Sequence, residues 1–408
     1  MKTDTFLSPS FTRPFYALTL CAIISLSPGW SSAQKKITSK PGAQGNLSLR
    51  LEIEHAIDKG VKWLKQHQNP QSGAWSETDQ PALSALAVAA IAGDPALTDT
   101  PAAKLPDAIK KGLAFIISKQ KSDGGIYGKG LATYNTSLSM MALMQGGDSD
   151  SEPIIRSARK FLINQQSDFD ARGKTDNVFD GGIGYGGTYA HSDLSNTHLA
   201  LEALHYSKQY LSDTAGGAGE FDLDWAAAIE FVEKCQNSEK TVKMLGDDYA
   251  LNEKDRGGFV YFPGDTKAGE QKTADGKVAL RSYGSMGYAG MLSFIYADMD
   301  KQDPRMQAAL TWLSQNFSID ENPGLKSQGL YYYYHTMAKA LALYGTDTLT
   351  LEDGSKIKWR EKLALKLFDD QQRNGSWINQ GSKRWWEDDP VLVTAYAVLA
   401  LEHIHRGL

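Results

Sequence analysis

Six times along the chain, an amphipathic stretch is followed by one that is apolar on nearly every face. The first members carry apolar residues at helical spacing, as in Ile53, Ile57, Val61 and Leu64, or Ala308, Trp312 and Leu313, which is the pattern of a helix with one buried face. The second members, at 82–93, 136–145, 197–206, 285–296, 336–344 and 391–404, are rich in small residues and show little polar face. A helix apolar all round belongs inside, with its amphipathic partner outside. The pattern therefore predicts an all-α (α/α)6 toroid of six inner and six outer helices, a single domain over residues 51–408 preceded by a linker at 34–50.

The same units repeat as sequence. Lys59-Gly60-Val61-Lys62-Trp63-Leu64, then Gln68, then Gly73-Ala74-Trp75 recurs as Lys111-Gly112-Leu113-Ala114-Phe115-Ile116, Gln120 and Gly125-Ile126-Tyr127. It returns as Phe368, Gln372 and Gly375-Ser376-Trp377, with weaker copies around Phe161, Phe231 and Trp312. In each copy the glycine is expected to end the outer helix, the glutamine to bond orphan carbonyls there, and the aromatic to staple one repeat to its neighbour. This pattern resembles the QW repeat of the squalene cyclase, oxidosqualene cyclase and protein prenyltransferase β-subunit superfamily, and it spans essentially the whole chain after the leader. The resemblance implies an α/α toroid with a cavity for an isoprenoid ligand.

Composition narrows the field. The chain has 408 residues, a net charge of -5 and no Lys/Arg-rich run, which argues against a nucleic-acid partner. Lys2 and Arg13, the apolar stretch 16–26 and the small residues Ser31-Ser32-Ala33 read as a signal peptide over 1–33, so the mature protein is expected to be secreted or periplasmic. About 11 apolar residues are too few to span a bilayer that needs about 20, and no other segment reads as transmembrane. Cleavage leaves one cysteine, Cys235, which reads as a buried thiol.

Connections from inner to outer helices are short, whereas those from outer to inner helices are long, notably 167–193 and 237–282. Long loops on one rim are the usual place for binding. That rim also carries the six inner-helix N-termini, which favour anionic or electron-rich groups. Candidate ligand contacts there are Tyr134, Asn135, Tyr185, Asn196, His198, Ser285, Tyr331, Tyr334, Arg384, Trp385 and Trp386, several of which also read as helix caps. Tyr189, Tyr249 and Tyr261 add to the aromatic content of the loops. His335 and Tyr283 form a candidate proton-transfer pair, and Asp388 and Asp389 are candidate acids, with Asp389-Pro390 also reading as a cap.

Carried over residue by residue, the resemblance departs from its best-known chemistries. Prenyltransferase β-subunits place zinc ligands where this chain has Tyr283, Ser285 and His335, which is not a zinc donor set, so no metal and no cofactor are expected. Bacterial triterpene cyclases use an Asp-x-Asp-Asp acid. The nearest run, Asp222-Leu223-Asp224-Trp225, lacks the last Asp and opens an outer helix. The expected partner is a small hydrophobic or carbohydrate ligand. The alternatives are a polysaccharide-acting α/α barrel, with carboxylates converging on one groove, and a non-catalytic interaction module with a blocked mouth.

Overall fold

Outer and inner helices alternate as the pattern predicts in the computed structural model, which describes residues 46–146, 149–186, 191–211 and 222–408. The proposed leader and Tyr189 lie outside the described residues. The outer layer consists of α1 (Leu47–Gln66), α3 (Asp107–Ile117), α5 (Glu152–Ile163), α7 (Trp225–Lys234), α10 (Pro304–Gln315) and α12 (Trp359–Asp370). The inner layer consists of α2 (Pro81–Ala92), α4 (Ala132–Gly146), α6 (Leu194–Tyr206), α9 (Gly284–Tyr296), α11 (Leu330–Tyr344) and α13 (Pro390–His405). Each inner helix packs on the next, and α13 closes the circle on α2. The fold is an all-α toroid.

The helix pattern did not foresee three additions. A short helix α8 (Glu239–Leu245), capped by the Ser238 hydroxyl, lies in the long loop after α7. Antiparallel β1 (Glu270–Lys272) and β2 (Val278–Leu280) pair in the same loop, and β3 (Thr348–Thr350) and β4 (Lys356–Lys358) pair between α11 and α12. Several helices also start early. Helix α1 begins at Leu47, inside the expected linker, and α11 begins six residues before its apolar run, so the tyrosines from Tyr331 to Tyr334 are helical rather than loop residues.

The repeated glycine has a different role from the one its sequence suggested. Gly60 lies inside α1, which continues to Gln66. A Cβ on Gly60 would stand 2.9 Å from the Trp377 ring and 2.7 Å from Val398, while one on Gly112 would stand 2.8 Å from Trp75 and 2.5 Å from Val88. The glycine is therefore a seat for the aromatic of the preceding repeat. The indole nitrogens of Trp75 and Trp377 donate to Leu64 O and Leu367 O, each at the end of its own outer helix.

The glutamines bond carbonyls as expected, but across repeats. Gln68 donates to Gly73 O and to Ala108 O of α3, and Gln236 donates to Gly257 O and to Arg305 O of α10. In the last repeat the bridging residue is Gln371, not Gln372: it donates to Gly375 O and to Ala56 O of α1, joining the sixth repeat to the first.

Helix propensity alone favours Ala over Gly in a helix interior by about 1 kcal/mol. At position 60, overpacking against Trp377 wins. Gly60→Ala is expected to lower stability by about 1 to 3 kcal/mol in urea unfolding, and a neutral or stabilising result would refute the seating role.

Candidate functional site

Long loops and inner-helix N-termini share one end of the toroid, where a cavity of about 780 Å³ opens. Tyr332 of α11, Tyr134 of α4, Tyr396 of α13 and Tyr283, the residue before α9, line it, with Met286 among them. Tyr185, Tyr261 and Phe262 enter from the long loops, and Trp385 and Trp386 stand at the rim. The Tyr134 and Tyr396 hydroxyls are 3.2 Å apart, and the Tyr261 hydroxyl donates to that of Tyr185 at 3.0 Å. Burial raises the Tyr134 phenol to about 12 and holds those of Tyr261, Tyr332 and Tyr396 well above their ordinary value.

Backbone strain fixes the rim. Trp385 and Trp386 both have left-handed φ, 57° and 62°, which is an outlier for bulky residues and costs about 1 to 3 kcal/mol each. The Trp385 ring covers Gly329, where a Cβ would stand 3.1 Å from it. The Arg384 guanidinium stacks 4.3 Å from the same ring and donates to Gln328, so it braces the rim from outside the cavity.

The next residue, Glu387, is buried in the cavity wall. Its Oε1 accepts the Tyr331 and Tyr332 backbone N–H groups at 2.9 Å, and its Oε2 accepts from Asn379. It thus caps α11, whose own N-cap residue Gly329 has no side chain to do so. Burial raises its carboxyl to about 7, against the pull of those donors. Asp193, buried beside Tyr261, caps α6 and is raised by burial to about 6.

Similar caps occupy most of the inner-helix N-termini. Asn135 of α4 accepts Ala82 N of α2, and Asn322 accepts Ser285 N of α9. Asp389 accepts Val391 N of α13. Five of the six helix ends expected to attract an anion therefore already hold a side-chain cap.

Of the residues nominated from sequence, Tyr134, Tyr185, Tyr283, Ser285, Trp385 and Trp386 line the cavity. The others do not. Asn135 and Asn196 are buried in cap networks, with the Asn196 amide held by Asp193. His198 bonds Ser195 O, and burial lowers it to about 3. The Tyr331 and Tyr334 hydroxyls turn outward, to Asp370 and Ile319 O. Asp388 is exposed, and Asp389 is a cap. Tyr249 is also outside the cavity lining.

Nor do His335 and Tyr283 form a pair. His335 lies five residues into α11, roughly 7 Å along the axis from its start at 1.5 Å per residue. Its ring stacks on Tyr396 and faces His403. It lines a separate cavity of about 70 Å³ near the opposite end, with Glu202, Lys339, Glu402 and Arg406. Asp222, part of the near-match to the cyclase acid run, pairs with Arg159 instead, while Asp224 caps α7.

Sequence reading missed Glu387, Tyr396, His191, Asp265, Lys267 and Lys383, all of which border the cavity. Glu387 directly precedes the two aspartates that were chosen, and within the aromatic run from Tyr331 to Tyr334 it is Tyr332 that lines the cavity. Tyr396 gave no signal, because it lies within a helix that reads as plain core.

No protein-family model matches the sequence, and neither does any curated protein. Among solved structures, the chain is similar to a variant of the type II terpene cyclase MstE from Scytonema in complex with geranylgeranyl dihydroxybenzoate, its substrate, at 12% identity and a TM-score of 0.51. It is also similar to another variant of that enzyme in complex with merosterolic acid A, its product, at 12% identity and a TM-score of 0.50. Each match covers 88% of this chain and 99% of the other. The chain has a terpene-cyclase-like fold. Among the described residues, no helix is long and apolar enough to cross a membrane, and no three His, Cys, Asp or Glu side chains converge to hold a metal ion.

Because Glu387 is raised from its ordinary 4.5 to about 7, the native state keeps a proton that the unfolded chain releases, so this residue's contribution to stability falls as pH rises from about 4.5 to about 7. Glu387→Gln is expected to abolish that component. Urea midpoints at pH 4.5 and 8 should show the unsubstituted protein losing up to about 3 kcal/mol more than the variant; equal losses would place the titration elsewhere.

Proposed function

We propose that this chain binds a hydrophobic, isoprenoid-like ligand in the mouth cavity and works as a terpenoid cyclase-like or prenyltransferase-like protein of the QW-repeat kind. The observation that carries the reading is the cavity itself: about 780 Å³ of space walled largely by aromatic faces, a size and lining suited to a flexible hydrocarbon. Aromatic faces also stabilise positive charge in a bound chain. Glu387 gives the wall a carboxyl that exchanges its proton near neutral pH, which suits general acid–base chemistry on such a ligand. Likeness of fold to a type II terpene cyclase supports the same direction.

The polysaccharide reading loses its candidates, since Asp388, Asp389, Arg384 and His335 face no common groove. The interaction-module reading asked for a blocked mouth, and among the described residues the mouth holds a cavity of about 780 Å³.

Geranylgeraniol is expected to raise the melting temperature of the protein. Tyr332→Ala should weaken its binding about tenfold, on the order of one lost aromatic contact with its buried area, while Tyr332→Phe should retain it. Equal affinities for all three proteins would remove the cavity as the site. We also propose export with cleavage near Ala33; the intact mass of the protein recovered from its native cell checks this, and a retained leader would refute it.

A further inference from the structure

We propose that the second cavity, near the end of the toroid away from the mouth, binds a small zwitterion of the α-amino acid class, its ammonium on Glu402 and His335 and its carboxylate on Lys339 and Arg406. Nothing in this depends on what the mouth cavity holds. Glu202 of α6, His335 and Lys339 of α11, and Glu402 of α13 line this cavity together with Arg406. Lys339 donates to both oxygens of Glu202, at 2.8 and 3.0 Å, which leaves the third hydrogen of its ammonium uncommitted. Arg406 donates to Oε2 of Glu402 at 3.2 Å and keeps further guanidinium donors. Glu402 and His335 are only 1% and 6% exposed, and Glu402 Oε1 and His335 Nδ1 have no hydrogen-bond partner among the described residues. Folded proteins pair nearly all such buried groups, so two unpaired atoms in one cavity wall point to a ligand that pairs them.

Charge and size define the class. The wall carries two cations and two carboxylates, so a lone anion or a lone cation would leave a buried charge uncompensated. A zwitterion keeps the balance, bringing donors to the unpaired acceptors and acceptors to the unpaired donors. The cavity has about 70 Å³ of free space, and one water needs about 10 to 15 Å³, so it takes roughly five non-hydrogen atoms, the size of glycine. The Glu402 carboxyl lies against Gly93, the residue that ends α2, where a Cβ would overlap its Oε2; only a glycine there leaves the carboxyl its place. Burial raises Glu402 to about 8 against the pull of Arg406, and the nearby Asp94 charge adds to the rise. The ligand's ammonium favours the carboxylate form, so binding near pH 7 releases the Glu402 proton to solvent. Burial and the Lys339 charge hold His335 well below its ordinary value, so it stays neutral and keeps one acceptor nitrogen.

Calorimetry on the whole protein with glycine, acetate and ethylammonium separates the two halves of the ligand. Glycine should bind at least about tenfold more tightly than either of the others, which each make half of its contacts. Its affinity should rise about tenfold between about pH 6.5 and about pH 8.5, as Glu402 ionises. Glu402→Gln should abolish binding. Gly93→Ala keeps every charge but pushes the carboxyl from its place, and should weaken glycine about tenfold; it carries the test if Glu402→Gln does not fold. Acetate or ethylammonium binding as tightly as glycine, an affinity for glycine that ignores pH, or one unchanged in every variant that folds would overturn the assignment. So would a protein that does not bind glycine at all, which would leave the unpaired atoms to ordered water only.

Discussion

Trp377 of the last repeat occupies the space where a side chain on Gly60 of the first would be, and the rest of the architecture depends on that contact and its equivalents. A toroid has no free ends only if its final unit meets its first as well as it meets its own predecessor. Here the closure is made twice: the Trp377 ring lies on Gly60, and the Gln371 amide reaches Ala56 O. The same pairing of aromatic on glycine joins the first repeat to the second through Trp75 and Gly112. At the closure these contacts place dispersion and a part-buried amide hydrogen bond between repeats that are far apart in sequence.

Ring closure also builds the site. Three inner helices take the cap for their first turn from a neighbouring repeat: Asn135 serves α2, Asn322 serves α9 and Glu387 serves α11. The groups at the mouth are therefore aligned by the same inter-repeat geometry that closes the barrel. Glu387 is held under the α11 terminus while its backbone neighbours, Trp385 and Trp386, are forced into left-handed conformations at the rim. A carboxyl with three hydrogen-bond donors would ordinarily titrate low; burial outweighs them and brings it to about 7. The cavity thus combines aromatic walls, an anion that can be neutralised near physiological pH, and lysines at its entrance.

Local pattern determined much of this protein. The alternation of amphipathic and uniformly apolar segments set the number of major helices, their order and the layer each occupies, because burial of a helix follows the width of its apolar face. The two longest loops pointed to the end that carries the large cavity, and the aromatic loops supplied Tyr185, Trp385 and Trp386, which line it. Tertiary structure decided which polar residues face the cavity and which are consumed by capping. Asn135, Asn196 and Asp389 cannot be told from ligand contacts by residue type, since a cap and a contact use the same groups at the same position. His335 and Tyr396 were separated only by the depth and direction of their side chains along helices whose sequence marks every face as buried. Nor could spacing show that Glu387, rather than Asp388 or Asp389, turns inward, because the helix end that receives it belongs to the preceding repeat and meets it only when the fifth and sixth repeats pack together.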